Sequence, residues 1–199
     1  MAGRRRPAIE KSAVATGKGD DGTTGLLFGG RVAKDDPRTD AYGTLDEAVA
    51  AFGLARAELI AAGQDELAGT VLGHQRQLFV AAAELAVNPQ ARDRLQDGVS
   101  RVSEEMLQAV EAELAHWESA VEMPREFVVP GETRASAALE LARTILRRAE
   151  RRTVTLQRDG LLASPWLVPF INRLADLAWV LARAAEQAEQ RQAPPSRAR

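Results

Sequence analysis

The stretch "ARTILRRAERRT" (Ala142–Thr153) decides the fold, because it reads as a helix with two very different faces. At 3.6 residues per turn, its apolar side chains and those just beyond its ends share one face that can pack into a core. That face consists of Leu139, Ala142, Leu146, Ala149 and Leu156. The charged side chains fall within a neighbouring arc of about 100°. That arc holds Arg143, Arg147, Glu150 and Arg151.

This charged arc has two interpretations. Clustered arginines repel one another unless carboxylates or anions lie opposite them, and Glu150 is the one carboxylate within the arc. Guanidinium groups left with free donors suit the oxygens of a phosphate. The arc is therefore either a solvated basic face or an anion-binding site.

The segments on both sides of this helix are also predicted to be helical. A first helix starts at Asp36-Pro37, which can cap and open it, and stops at Gly63. Three further helices are predicted over about 65–86, 101–119 and from 164 or 169 to 190, around the central one at about 133–157. The segment "FVVPGE" at 127–132 reads as extended. We predict an all-α five-helix bundle over residues 15–192, between a flexible arm (1–14) and a disordered tail (193–199).

The last helix carries polar residues on a strongly apolar background. Asn172 and Asp176 are four residues apart, with Arg173 between them. Such a set indicates either a hydrogen-bond network between helices or a binding site. Asp176 is a natural partner for an arginine of the preceding helix.

The glycine-rich stretch "KGDDGTTGLLFGG" (Lys18–Gly30) cannot form a stable helix. Glycines allow positive φ and close backbone approach, so free N–H groups there can cradle an anion. The alternative is a surface loop beside a short strand. The stretch lacks the GxxxxGK[ST] pattern of a P-loop.

The net charge, the apolar runs and the cysteine content of the chain exclude several classes of function. The net charge of −2 argues against a nucleic-acid binder, and no apolar run is long enough to span a membrane. The absence of cysteine excludes thiolate nucleophiles and thiolate metal sites. A cytoplasmic protein is the simplest expectation.

In this order, the segments resemble the PduO-type ATP:cob(I)alamin (corrinoid) adenosyltransferases. The resemblance rests on four blocks and a weaker fifth. The four are "GDDGTTGLLFGGRVAKDDPR", "AYGTLDEAVAAFGLA", "FVVPGETRASAALELARTILRRAER" and "INRLADLAWVLAR", and the fifth is "HQRQLFVAAAELA". It implies a five-helix bundle assembled as a homotrimer, with active sites between subunits. It also implies an enzyme of the cob(I)yrinic acid a,c-diamide adenosyltransferase type, which transfers the 5′-deoxyadenosyl group of ATP to cob(I)alamin and releases triphosphate.

The resemblance also assigns roles to residues. Segment 15–36 would fold over ATP, and magnesium would accompany the ATP without a metal site fixed by the protein alone. The residues implied in ATP binding are Thr16, Gly17, Lys18, Gly19, Thr24, Gly25, Lys34, Arg147, Arg148, Glu150, Arg151 and Asn172. Arg147, Asn172 and Phe127 would serve catalysis, with Phe127 on the corrinoid side. Asp46 and Arg143 would pair across or near a subunit interface, supported by Asp176.

Three positions depart from the family pattern. Gly17-Lys18 stands where a basic residue and a threonine are usual, Glu132 replaces the second glycine of "PGG", and Ala175 replaces a serine. The first departure motivates an alternative, a carrier of adenosylcobalamin with little or no transferase activity. A trimeric bundle whose arginines bind acidic partners is a third interpretation. The partners that the resemblance implies are a cobalt reductase and an adenosylcobalamin-dependent enzyme, with no nucleic acid and no membrane.

Overall fold

The computed structural model describes Ser12 and residues 14–197 of the chain. The predicted five-helix bundle is confirmed. Its helices are α1 (Pro37–Ala61), α2 (Asp65–Leu85), α3 (Glu104–Ala120), α4 (Arg134–Arg158) and α5 (Leu167–Ala188). A 3₁₀ turn (Pro89–Arg94) follows α2, and an antiparallel hairpin of β1 (Thr23–Gly25) and β2 (Arg31–Ala33) precedes α1.

Capping residues explain where the two longest helices begin. The Asp36 side chain accepts a hydrogen bond from Arg38 N at 2.8 Å, and Pro37 occupies the first turn of α1. At the start of α4, Thr133 and Ser136 satisfy each other's backbone N–H groups in a capping box. Gly63 ends α1 with a φ of 72°, as its sequence position predicts.

Helix α4 is the centre of the bundle, because it packs against α1 on one side and α5 on the other. Its predicted apolar face is buried throughout, and apolar side chains of α5, among them Phe170, Leu174 and Leu181, are buried with it. Leu146 is fully buried, so truncation to alanine is expected to cost about 2–5 kcal/mol. This packing fixes which side chains of α4 remain available for other contacts.

Two helix starts differ from the prediction. Helix α3 begins at Glu104, because Ser103 caps it and residues 96–101 form a turn closed by the Asp97–Arg101 ion pair. Helix α5 begins at Leu167. Ser164, ahead of it, donates its N–H to the Glu84 carboxylate and its hydroxyl to the Val102 carbonyl, so it does not start the helix. The hairpin was not predicted beyond a single short strand.

The segment after α3 pairs with the end of the chain. Val129 N donates to Pro194 O at 2.9 Å, and Ser196 N donates to Phe127 O at 2.7 Å. The prediction of a disordered tail at 193–199 did not include this pairing. Of the predicted arm at 1–14, only Ser12 and Val14 lie within the described residues.

Each helix in the described part of the chain is too short or too polar to span a lipid bilayer.

Candidate active site

Five arginines in the middle of α4, between residues 143 and 152, divide into two groups. The first group is held by α1. Arg148 is ion-paired with Glu47. Arg152 Nε lies 2.8 Å from a carboxylate oxygen of Asp40, and its NH1 donates to the Thr44 hydroxyl. These two arginines therefore connect α4 to α1.

The second group, Arg143, Arg147 and Arg151, points away from α1. Arg147 is exposed and makes no ion pair within the described residues. Arg151 NH1 donates to Arg147 O at 3.0 Å, an interaction that leaves most of its donors free. Arg147 and Arg151 also line a shallow hollow with Glu150 and Arg158. This face offers guanidinium donors to an anion.

Helix α5 joins the second group through Asn172. Its side-chain amide donates to Glu150 at 3.0 Å and accepts from Arg173 at 2.8 Å. Glu150, the one carboxylate within the charged arc of α4, is thus hydrogen-bonded to α5. The expected pairing of Asp176 with an arginine of α4 is not found, because Arg173, one turn earlier on α5, lies 3.8 Å from its carboxylate.

A cavity of about 840 Å³ opens beside these residues, between α4, α5 and the segment after α3. Four of the sequence-predicted residues line it together: Phe127, Arg143, Arg147 and Asp176. Phe127 is 87% exposed, which is unusual for a large apolar side chain and suits a wall awaiting a ligand.

Trp179 also lines this cavity, although the sequence did not single it out as a site residue. Its position seven residues after Asn172 places it on the same face of α5, so helical spacing was the available signal. The cavity wall therefore combines aromatic rings with guanidinium groups.

The glycine-rich segment folds into the hairpin, held closed by Arg31. Arg31 NH2 donates to Lys18 O at 2.6 Å, and Nε donates to the Thr23 hydroxyl at 2.9 Å. The Thr23 hydroxyl and the Thr23 N–H both donate to Asp21, and these two hydrogen bonds lower the pKa of the Asp21 carboxyl. Lys34 N donates to Gly22 O at 2.9 Å. These hydrogen bonds within the chain define the shape of the turn.

The predicted ATP-binding residues of this segment lie around that turn. Thr24 and Gly25 are in β1, opposite Val32 and Arg31. Lys34 reaches back so closely that a Cβ on Gly19 would come within 3.0 Å of its Nζ. Thr16, Gly17 and Lys18 lead into the turn, and Gly17 has a φ of 65°. Backbone N–H groups and one ammonium group thus share a small exposed surface.

Within one chain, the hairpin and the arginines of α4 are not joined. Residues 14–34 bond instead to the end of α2, where Leu27 N donates to Ala86 O at 2.8 Å. Among the described residues, no hydrogen bond or ion pair links this segment to α4. Asp46 is exposed, also without a described partner, and Arg143 pairs with Glu140. The pairing of Asp46 with Arg143 and the ATP role of the hairpin stay predictions.

Comparison with known proteins identifies relatives over most of the chain. The cobalamin adenosyltransferase family model matches residues 14–185. The chain is 39% identical over 180 residues to a corrinoid adenosyltransferase of Citrobacter freundii, covering 87% of this chain and 94% of that protein. It is 41% identical over 178 residues to the corrinoid adenosyltransferase PduO of Salmonella typhimurium, covering 87% of this chain. There it spans about half (50%) of the relative's length.

Solved structures are similar as well. One is a variant PduO-type ATP:corrinoid adenosyltransferase from Lactobacillus reuteri complexed with cobalamin and ATP. Its TM-score is 0.82 at 31% identity, with 92% of this chain and 96% of that chain covered. A second variant from the same organism, complexed with ATP, has a TM-score of 0.81 at 30% identity, covering 92% of this chain and 100% of that one.

Proposed function

Since the chain belongs to the cobalamin adenosyltransferase family, we propose that it transfers the 5′-deoxyadenosyl group of ATP to cob(I)alamin, giving adenosylcobalamin and triphosphate. The observation that carries this proposal is the cavity in which Phe127, Arg143, Arg147 and Asp176 meet. Its aromatic part suits the apolar face of a corrinoid, and its guanidinium groups suit a triphosphate.

The reaction asks little acid–base chemistry of the protein. The electron pair of cobalt(I) attacks C5′ of ATP, a cobalt–carbon bond forms, and the C5′–O5′ bond breaks with its electrons leaving on triphosphate. The leaving group carries the developing negative charge, so fixed guanidinium groups stabilise the transition state. Arg147 and Arg151 supply them here, and Asn172, fixed by Glu150, orients the adenosine.

Magnesium would arrive with ATP, bound to phosphate oxygens and keeping several of its waters. The hairpin around Gly17, Lys18, Gly19 and Lys34 would cover the phosphates with backbone N–H groups and an ammonium group. Arg148, which the resemblance places in ATP binding, is ion-paired with Glu47 and would support the nucleotide site by holding α4 against α1.

The active form would be a homotrimer whose sites lie between subunits. Two observations support an assembly: the hairpin bonds to the end of α2 in its own chain, and large apolar side chains remain exposed on the bundle. They include Leu54, Ile60, Phe79 and Leu141. A neighbouring copy would bring its hairpin and Asp46 to the arginine face. Sedimentation velocity at several concentrations tests this, and a monomer throughout would contradict it.

Residues 15–192 would form this single catalytic domain, with 15–36 as its ATP-binding segment. A cytoplasmic location, a cobalt reductase that supplies cob(I)alamin and an adenosylcobalamin-dependent acceptor enzyme are parts of the same proposal. Flexibility of the arm at 1–14 and of the last residues of the tail also stays a prediction.

An anaerobic absorbance assay with reduced cob(I)alamin, magnesium and ATP tests the function. We expect the cob(I) absorption band to decay only when ATP is present, with formation of light-sensitive adenosylcobalamin. If the chain binds ATP and corrinoid tightly but forms no product, it is the carrier that the Gly17-Lys18 departure suggests. If it binds neither ligand, both proposals fail and the third interpretation is favoured.

A further inference from the structure

A buried ion network lies directly beneath the cavity. Glu140 lies between two arginines: one carboxylate oxygen is 2.6 Å from Arg143 Nε and the other is 3.3 Å from Arg183 NH1. Arg183 NH2 in turn lies 2.7 Å from Glu186. The side chains of Glu140, Arg183 and Glu186 are 6%, 3% and 1% exposed, so the network is nearly free of solvent.

The network is anchored on both helices that form the cavity. Glu140 and Arg143 are on α4, and Arg183 and Glu186 are on α5. The guanidinium carbon of Arg183 lies 5.7 Å from the ring centre of Trp179, close enough for a cation–π contact, and Trp179 lines the cavity. Two carboxylates and two guanidinium groups balance in charge, which makes the burial of Glu140, Arg183 and Glu186 tolerable.

Only one member of the network combines marked exposure with a position in the cavity wall. Arg143 is 27% exposed and lines the cavity, whereas Glu140 holds it by Nε alone. The terminal N–H groups of Arg143 have no partner among the described residues, so they are available to a ligand or a neighbouring carboxylate. A guanidinium group held at Nε loses rotational freedom before any ligand arrives.

We propose that Glu140, itself oriented by Arg183, is a positioning residue that fixes Arg143 at the cavity wall for transfer to the corrinoid. This proposal rests on the proposed function and deepens it. Glu140 also lines the cavity, but its side chain is only 6% exposed, so it would act through Arg143 rather than on the substrate. Removing its charge is expected to lower kcat/KM for cob(I)alamin about tenfold, the scale of one charge-assisted hydrogen bond.

The chain offers a matched control. Glu140→Gln and Glu186→Gln each remove one buried carboxylate from Arg183, but only the first releases Arg143. A purely structural network predicts equal losses of activity and of stability for the two variants. Positioning predicts similar losses of stability, with the loss of kcat/KM confined to Glu140→Gln. Glu140→Asp, which keeps the charge but shortens the reach, replaces Glu140→Gln if that variant does not fold.

The test is a double-mutant cycle on the full chain, run once the wild type has shown ATP-dependent product. We expect Glu140→Gln to have no further effect in an Arg143→Ala background, because the two changes remove the same arrangement. The proposal would be overturned if the losses of kcat/KM from Glu140→Gln and Arg143→Ala multiplied in the double variant. It would also be overturned if Glu140→Gln and Glu186→Gln lowered kcat/KM equally.

A second readout does not depend on activity. We expect the Nε–H proton of Arg143 to exchange slowly with water, by nitrogen-15 NMR, in the wild type and Glu186→Gln. It should exchange fast in Glu140→Gln. Fast exchange in the wild type would also overturn the proposal, whereas an inactive wild type with slow exchange would count against the proposed function alone.

Discussion

The two faces of α4 carry the same residue type and use it in opposite ways. On the face toward α1, Arg148 and Arg152 are bound to Glu47, Asp40 and Thr44. On the face toward the cavity, Arg147 has no ion partner among the described residues, and Arg151 contacts a backbone carbonyl. An arginine whose donors are used inside the protein contributes to stability, and one whose donors stay free can bind an anion. The difference separates scaffold from site within a single helix.

The largest effect is expected for Arg147→Ala. It removes free donors that would stabilise the leaving triphosphate, so turnover should fall by about 100-fold or more. Stability should hardly change, because no described residue loses an ion partner. Initial rates in the anaerobic assay and a thermal melt measure both. Turnover within a few-fold of the wild type would place the anion site elsewhere.

The next largest effect is expected for Glu84→Gln. Glu84 is buried, and the hydrogen-bond partners of its carboxyl group lie inside the protein. Its two carboxylate oxygens accept from Val102 N at 2.8 Å and Ser164 N at 2.7 Å. Glu84→Gln leaves one of these amides without an acceptor, so the free energy of unfolding should fall by about 2 kcal/mol. Activity per folded molecule should be retained. A loss of kcat without a loss of stability would contradict the scaffold role.

The same residue makes a pH prediction. Burial raises the pKa of the Glu84 carboxyl above its ordinary value of 4.5, against the opposing effect of the two backbone amides. The stability that this group contributes is thus fully present below 4.5 and is lost as the pH rises through the folded pKa. Glutamine does not titrate, so the deficit of Glu84→Gln should shrink from about pH 4 to about pH 7. Urea unfolding at both pH values measures it, and a growing deficit would reverse the sign.

A smaller effect is expected for Arg152→Ala, the scaffold counterpart of Arg147→Ala. The ion pair with Asp40 is partly exposed, so its loss should cost about 1 kcal/mol, mostly through the contact with the buried Thr44. Turnover should stay within a few-fold of the wild type. Urea unfolding and the anaerobic assay together check this, and a loss of turnover as large as that of Arg147→Ala would erase the distinction between the faces.

The smallest effect is expected at the hairpin. Gly19→Ala would place a Cβ within 3.0 Å of Lys34 Nζ and 3.2 Å of Thr23 O, so the lysine side chain must move. The KM for ATP should rise about threefold, a change well below 1.4 kcal/mol. Gly73→Ala on α2 is the control, since a Cβ there meets nothing within 4 Å. An unchanged KM would remove Lys34 and the turn from the nucleotide site.

The sequence predicted most of the bundle because apolar spacing and caps act locally. The core face of α4, the Asp36-Pro37 start of α1 and the Gly63 stop all follow from neighbours in the chain. The second strand of the hairpin was missed because both strands are only three residues long, so no alternating pattern could develop.

The site was predicted as a set of residues and not as an arrangement. The sequence showed the cluster of arginines on α4. It did not show which of them are neutralised, because their partners Glu47 and Asp40 are on α1, far away in sequence. In the same way, Asp176 met Arg173 on its own helix, since a partner three residues away competes well with one on another helix. Such choices between partners are made by tertiary packing.

The most direct test of the account is a crystal structure of the chain with magnesium and ATP, without corrinoid. We expect phosphate oxygens within hydrogen-bond distance of the Arg147 and Arg151 guanidinium groups, with Arg152 still bound to Asp40. Triphosphate bound by Arg152 on the α1 side, or bound away from α4 altogether, would contradict it.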